Sequence, residues 1–375
     1  MKKALIVSTV SRQFYLFEQK NIEVLKSFGY EVHGAANFSD SNDQFNEVDI
    51  IKHHFDIQRS PLSLKNIKAY GQLRNLMCSE NFDAIHCHSP VGGVLARLAA
   101  KSVGITPVIY TAHGFHFYKG APIINWIFYY PIEKWLARYT DIIITINRED
   151  FHRACNFGIP MVRYIPGVGI DCQKFRDTKI DKNQKRRSLG IPNNSFVILS
   201  VGELNKNKNH ETILRAISKI GDQKIKYIIC GKGSLIGYLE KLSEALGIRK
   251  QVKLLGYRND IAEICKASDI FVFPSKREGL GLSALEAMAS GLPIVTSNLH
   301  GIVDYSINGE TGYTCNPNDV SEFADAIKHL LEDEDLRIRM GCYNAKVVKR
   351  FDSELAKVAM EIIYREGLCN DQSES

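Results

Sequence analysis

Short β-branched runs, each followed by a stretch of helical periodicity, recur along this 375-residue chain, and that alternation constrains the fold more than any other feature. It begins with ALIVST at 4–9, an amphipathic stretch from Phe14 to Phe28, and a second strand at Glu31–Ala36. DAIHCH (83–88), a helix from Val91 to Val103, PVIYTA (107–112), a helix near 123–138 and DIIITI (141–146) continue it. Strand and helix in that order imply a parallel sheet with helices on both faces. The loop IPGVGID (165–171) then sets a Pro and two Gly where one core can end and another begin, and it is the expected hinge. Beyond it the pattern restarts: FVILSV (196–201), a helix from about 209, KYIIC (226–230), a helix from Ser234, VKLLG (252–256) and DIFVF (269–273). The expected fold is α/β, with two Rossmann-like, doubly wound domains over residues 1–170 and 171–351. A last helical pattern, from about Asp352 to Arg365, has no strand after it, and the segment 352–375 is expected to pack back on the first domain.

Length favours the same division, because 375 residues exceed the usual size of a single core. Nine cysteines, odd in number, scattered and never in a C-x-x-C pair, suit a reducing cytosol. No segment approaches the roughly 18–20 apolar residues of a membrane span. The opening MKKALIVSTV has a signal peptide's Lys pair and apolar run, but the run stops at Ser11-Arg12, so it reads as a buried strand. A net charge of +6 suits an acidic substrate or an anionic membrane surface as well as nucleic acid. The densest basic run, Lys182 to Arg187, has no interleaved aromatics and reads as a solvated helix face, so no nucleic-acid partner is expected.

The segment REGLGLSALEAMASGLP (277–293) follows a predicted strand and opens a helix near Ser283, which sets glycines at a helix N-terminus. Gly279 and Gly281 let backbone approach a ligand closely, and the unpaired N–H groups and positive dipole end there favour phosphate. Glu286, expected in the first helical turn, can accept hydrogen bonds from both hydroxyls of a ribose, with Glu278 left in the loop to meet a sugar. Alone, both read equally well as solvated glutamates of a first turn. VGELNKNKNHE (201–211) runs from a strand end into a helix and places Lys206 and Lys208 to offset charge on a leaving diphosphate, or is no more than a lysine-rich turn. ICGKGSL (229–235) is a third such loop, which turn glycines explain as well.

Histidines cluster in the first half: His86 and His88 end one strand, and His113 and His116 flank Gly114 just after another. Strand C-termini are where doubly wound sheets bind ligands. No acidic or Cys partner stands at a motif-like spacing, so no metal is expected and hydrogen bonding to a sugar is the better reading. His86 reads as structural and His113 as the ligand contact. APIINWIFYYPIEKWLARY (121–139) sets Trp126, Phe128, Tyr129, Tyr130 and Trp135 near Lys119, Lys134 and Arg138, either as core packing or as an interfacial helix among lipid headgroups.

Together these segments resemble family 4 of the glycosyltransferases, retaining enzymes of the GT-B fold that use nucleotide-sugar donors. The likeness covers nearly the whole chain. Its most specific element is the E-x7-E pattern, Glu278 and Glu286, preceded by ASDIFVFPS (267–275). IHCHSPVGGVLARLAA (85–100), YTAHGFHFYKG (110–120), IPGVGID, LLGYRNDI (254–261) and NGETGY (308–313) support it. TAHGFHFYKGAP is similar to bacterial capsule, exopolysaccharide and lipid-linked oligosaccharide transferases. The resemblance implies two domains facing across a cleft, with the C-terminal helix crossing back to the first. It implies Glu286 on the ribose, Glu278 on the hydroxyls of the transferred sugar, the backbone amides of Gly281 and Leu282 on the diphosphate, and Lys208 on phosphate. Tyr257 and Arg258 match the segment that frames the nucleobase, and His113 matches a histidine facing the donor sugar; His88 is a further candidate near the acceptor. The usual V-G-R-L reads Val201-Gly202-Glu203-Leu204 here, an acid in place of the phosphate-binding arginine. Either Glu203 points elsewhere, or Lys119 or Arg277 supplies the charge. STVSRQF lacks the Gly-rich turn of many members, so acceptor contacts there do not carry over.

The expected activity is transfer of a hexose or N-acetylhexosamine, with retention, from a UDP-sugar to a polyprenyl-diphosphate-linked glycan, in capsule, exopolysaccharide or O-antigen synthesis. No cofactor is expected, since helix amides and Lys208 would neutralise the leaving diphosphate. The expected place is the cytoplasm, peripherally at the inner face of the membrane. A retaining glycosidase using Glu278 and Glu286 as its carboxylate pair leaves the phosphate-type loops unexplained. A nucleotide-sugar epimerase on the same fold, or a non-catalytic nucleotide-sugar-binding protein, remains the alternative.

Overall fold

Six consecutive buried residues, Ala4 to Thr9, cannot lie at a surface, and Lys2–Val10 becomes an interior strand, β1. The computed structural model describes residues 1–40 and 48–368; the end of the expected C-terminal segment, 369–375 with Cys369, lies outside the described residues. The chain divides into two compact units, Met1–Val168 with the chain from Ser353 onward, and Gly169–Asp352.

In the first unit β1 is followed by α1 (Gln19–Ser27), β2 (Tyr30–Asn37), β3 (Ile51–His54), α2 (Lys65–Glu80), β4 (Ala84–His88) and α3 (Pro90–Val103). Then come β5 (Val108–Ala112), α4 (Ile123–Leu136), β6 (Ile142–Thr145), α5 (Arg148–Ala154) and β7 (Met161–Tyr164). The seven strands pair in parallel in the order β3-β2-β1-β4-β5-β6-β7. In the second unit α6 (Cys172–Asp177) and α7 (Lys182–Ser188) precede β8 (Phe196–Val201), α8 (His210–Ile220), β9 (Ile225–Cys230) and α9 (Ile236–Ala245). They are followed by β10 (Val252–Gly256), α10 (Ile261–Ala267), β11 (Ile270–Phe273), α11 (Leu282–Ala289), β12 (Ile294–Ser297), β13 (Gly312–Cys315), α12 (Val320–Glu332) and α13 (Glu334–Val347). This sheet runs β10-β9-β8-β11-β12-β13, also parallel. The last helix, α14 (Ser353–Leu368), belongs to the first unit, where Lys20 pairs with Glu354 and Lys357 with Glu23 to hold it on α1.

One device sets register three times. Asp83, just before β4, donates its N–H to the Lys3 carbonyl of β1 and accepts the Lys3 N–H on its carboxylate at 2.6 Å. Asp141 before β6 treats Val108 of β5 in the same way, and Asp269 before β11 does so to Val197 of β8. Each carboxylate thus satisfies a backbone donor that the start of a strand leaves open, with a charge-assisted bond.

Two stretches depart from the sequence reading. The amphipathic segment from Phe14 is helical, but Phe14–Glu18 winds as a π-helix before α1 begins. A widened turn re-aims its side chains, and Glu18 is fully buried. In α4, Trp126, Tyr129 and Tyr130 pack against the core, so these three are not the interfacial residues of an exposed face. That face is instead Ile123, Ile124, Ile127, Phe128, Ile132 and Trp135, all exposed. Behind it, Arg97 of α3 is fully buried, bonded to Glu133 at 2.9 Å and lying over the Tyr110 ring, and fixes α4 to the sheet. A Cβ at Gly93 would meet the Tyr110 ring at 2.6 Å, so only glycine lets α3 approach β5 this closely.

Both tryptophans, Trp126 and Trp135, lie in the first unit, so their fluorescence follows that unit alone. Replacement Asp141→Ala should destabilise that unit by about 1.5–3 kcal/mol for one charge-assisted bond, read as a lower denaturation midpoint. An unchanged midpoint would show that the carboxylate does not hold the strand.

Candidate functional site

In the second unit the strand order reverses beside β8, between β9 on one side and β11 on the other, where doubly wound sheets hold ligands at their C-terminal edge. Helix α11 begins there. Its N-cap, Gly281, has φ +94°, and a Cβ would meet the Phe273 ring at 2.5 Å, so glycine is required on both counts. Ser283 Oγ donates to the Val201 carbonyl at 3.0 Å and ties the helix start to the end of β8. The first turn, with Leu282 as its first residue, offers the unpaired N–H groups inherent to a helix start.

Two loops meet at this point. Lys276 N–H donates to the Asn207 carbonyl, and the Asn207 amide donates to the Arg277 carbonyl, so the 205–208 and 276–278 segments are stitched together. Lys208 passes over Gly202, whose Cβ would lie 3.3 Å from its methylenes, and its ammonium bonds Glu278 at 2.5 Å. The residues expected on phosphate and on sugar are therefore paired with each other. Glu286 lies in the second turn of α11, not the first, because the helix opens at Leu282. Burial pushes its carboxyl up to about 7, opposed weakly by the charge of Lys174. Tyr257 is 63% exposed after β10, with its ring free to stack, whereas Asp260 holds Arg258 through two bonds of 2.8 and 2.6 Å. Glu203 is exposed and Arg277 partly so; Lys119, in the first unit, is exposed and gives its backbone N–H to Glu149.

The histidines gather in the first unit, at the edge where β4 and β5 end. His86 has both ring nitrogens engaged, Nδ1 at 2.6 Å from the Tyr364 hydroxyl and Nε2 at 2.8 Å from that of Thr111. Buried His88 lies with Nδ1 3.1 Å from His113 Nε2 and with Nε2 3.2 Å from Glu18. His113 is partly buried, and burial holds its imidazole down at about 4. His116 stacks on Tyr129.

Glu18, Gln13 and Asn21 were not legible as site residues. Asn21 donates to one Glu18 oxygen at 2.6 Å and Gln13 to the other at 2.8 Å. The available signal was a carboxylate within the apolar periodicity of 14–28. Among the described residues, Glu18, His86 and His88 form the one His, Cys and carboxylate group whose ligand atoms lie within 4.8 Å of one another. The bonds from His86 to Tyr364 and Thr111 occupy the nitrogens an ion would need.

Residues 3–147 match the family described as Glycosyl transferase 4-like, and residues 181–347 match Glycosyl transferases group 1. EpsD of Bacillus subtilis (strain 168), whose name carries a provisional glycosyltransferase assignment, is 36% identical over 97% of this chain and 96% of its own length. An Escherichia coli protein named UDP-Gal:alpha-D-GlcNAc-diphosphoundecaprenol alpha-1,3-galactosyltransferase is 32% identical over 77% of this chain and 76% of its own. Among solved structures, Anabaena HepE in complex with UDP-glucose superposes with a TM-score of 0.80 at 19% identity, covering 98% of this chain and 100% of that one. Sucrose-phosphate synthase from Thermosynechococcus elongatus does so with 0.80 at 20%, covering 99% and 100%. With such a relative along nearly its whole length, and two parallel-sheet Rossmann-like units, the chain belongs to family 4 of the glycosyltransferases and is a glycosyltransferase of the GT-B fold.

Proposed function

We propose that the protein transfers a hexose or N-acetylhexosamine, with retention, from a UDP-sugar to a polyprenyl-diphosphate-linked glycan in bacterial surface polysaccharide synthesis. The observation that carries this reading is the convergence of the α11 N-terminus, the Lys208–Glu278 pair and Glu286 at the reversal point of the second sheet. The donor binds there, with its diphosphate on the Gly281 and Leu282 amides and its ribose on Glu286. Arrival of the diphosphate draws Lys208 away from Glu278, and the freed carboxylate takes the sugar hydroxyls. Arg277, in the same loop, supplies the cation that Glu203 does not. Tyr257 stacks on the base beside Arg258. The acceptor binds the first unit, where His113 meets the transferred sugar and His88 lies behind it. No carboxylate stands out as a nucleophile, which favours same-face attack assisted by the departing phosphate.

The E. coli relative's name supports a UDP donor and a polyprenyl-diphosphate acceptor. The apolar face of α4, flanked by Lys134 and Arg138, suits peripheral attachment to an anionic inner membrane face, which supports the lipid-linked acceptor. Among the described residues no helix is long and apolar enough to cross a membrane.

Calorimetry with UDP tests the ribose assignment: Glu286→Ala should lose about 1.5–3 kcal/mol of binding in a folded protein. The ligand selects the carboxylate, and the free group keeps its proton up to about pH 7. Wild-type affinity should therefore fall between about pH 8 and pH 6, by roughly tenfold for this group, with proton release on binding near pH 6. Glu286→Gln should lack that component, and an identical pH profile in the two proteins would refute the assignment.

Turnover should survive saturating chelator, while Lys208→Ala should reduce kcat by about a hundredfold or more as its charge at the leaving group is lost. Loss of rate with chelator, restored by magnesium or manganese, would overturn metal-free departure.

Wild-type protein should float with anionic liposomes at low salt and be released by high salt. A triple variant with Ile127, Phe128 and Trp135 replaced by serine should stay in the soluble fraction. Indifference of the wild type to anionic lipid, with efficient glycosylation of a soluble sugar, would dismiss the lipid-linked acceptor.

A further inference from the structure

We propose that the Tyr305 hydroxyl is a further donor to the diphosphate, bonding a phosphate oxygen held at the start of α11. It rests on the placement of the nucleotide at α11 proposed above, and adds one side chain to a cradle of main-chain amides.

A wholly buried tyrosine has to spend its hydroxyl on another part of the molecule, because the ring holds that group away from its own main chain. Tyr110, Tyr227 and Tyr364, none more than 2% exposed, do so through Glu133 at 3.5 Å, His210 at 3.2 Å and His86 at 2.6 Å. Tyr305 is 0% exposed, and its hydroxyl has no hydrogen-bond partner among the described residues. Burying such a group unpaired costs stability. Ser275 and Ser297 also carry buried hydroxyls without partners, but a serine can turn its hydroxyl to adjacent main chain and a phenol cannot.

The hydroxyl lies where the phosphate is expected. A Cβ on Gly281, the N-cap of α11, would stand 3.0 Å from it and 2.5 Å from the Phe273 ring, so no side chain comes between the phenol and the helix start. The same Phe273 ring carries the Lys208 ammonium 4.7 Å from its centre, and that ammonium holds Glu278. Gly301 N–H donates to the Glu278 carbonyl at 3.2 Å, which seats the 278–281 loop on the segment that bears Tyr305. Phe351 meets the tyrosine ring edge-on and fixes it from the other side. Withdrawal of Lys208 from Glu278 frees the loop that lies against the phenol. Burial, and after it the charges of Glu278 and Asp304, push the phenol well above its usual range, so it keeps its proton and remains a neutral donor. Most groups that bind a ligand give up an earlier bond to do so. Tyr305 has none to give up, so its bond to an anionic oxygen counts in full.

Tyr305→Phe removes the hydroxyl and keeps the ring. Followed by circular dichroism without ligand, its denaturation midpoint should equal or exceed that of wild type, since no bond is lost. A lower midpoint would show that the hydroxyl is already paired in the free protein, and overturns the proposal. Calorimetry should find UDP bound about tenfold or more weakly by the variant, the effect of one hydrogen bond to a charged group. Uridine, which keeps the base and ribose and has no phosphate, should bind both proteins equally when measured by displacement of UDP. Equal UDP affinity in the two proteins, or the same loss with uridine, overturns the contact with phosphate. Glu286→Ala and Lys208→Ala, titrated alongside, separate the two ways of failing. If they weaken UDP and Tyr305→Phe does not, Tyr305 alone is misassigned; if none of the three weakens it, the nucleotide does not bind at α11 and the role of Tyr305 falls with that placement.

Discussion

The aspartate that opens β4, β6 and β11 holds both sheets in register. Each one grips the first or second residue of the neighbouring strand with its main chain and its carboxylate together. In a sheet buried on both faces a slip of one residue would turn every side chain to the wrong layer. Pinning the N-terminal edge therefore decides which residues arrive at the opposite edge, where the candidate site lies: His88 at the end of β4, Val201 at the end of β8, Phe273 at the end of β11. Ser283 can tether α11 to Val201, and Lys208 can lie over the Phe273 ring, because those strand ends are fixed at the far side.

Two buried carboxyls show how the same low dielectric serves opposite ends. Glu18 accepts from two amide donors beside the ring of His88, and its carboxyl is held well below the usual range despite its burial. Glu286 has burial and only a weak cation nearby, and its carboxyl is pushed up to about 7. The first is permanently charged and suits a scaffold. The second is poised to ionise when a ligand supplies the donors it lacks, which suits a binding group. Lys208 and Glu278 are a third case, an ammonium and a carboxylate paired with each other.

Much of this was legible in the sequence. DIIITI and DIFVF mark interior strands because burial on both faces favours a nearly unbroken apolar run, DAIHCH shows one interrupted by two buried histidines, and the glycines of 277–293 mark a helix start that only glycine can make. The strands Ile51–His54, Met161–Tyr164 and Gly312–Cys315 gave no such signal. Each is a four-residue edge strand, recruited by pairing with a finished neighbour, so its own residues need no β-branched run. In α4 the aromatics could be read on either face, since packing depends on where Arg97 and Glu133 anchor the helix, a contact 36 residues apart in the chain. Glu18 was hidden by a π-wound turn, because a period of 3.6 residues does not locate a side chain in a wider coil.

The last helix of the chain completes the first unit. Tyr364 reaches the ring of His86 across 278 residues of sequence. On a ribosome that hands out the chain from its N-terminus, β1, α1 and β4 are finished long before α14 exists. The histidine cluster thus waits, uncapped on one side, while the whole second unit is made. A chain released early could fold its second unit and still lack the closed cluster, so the order of synthesis couples completion of the first unit to the presence of the second.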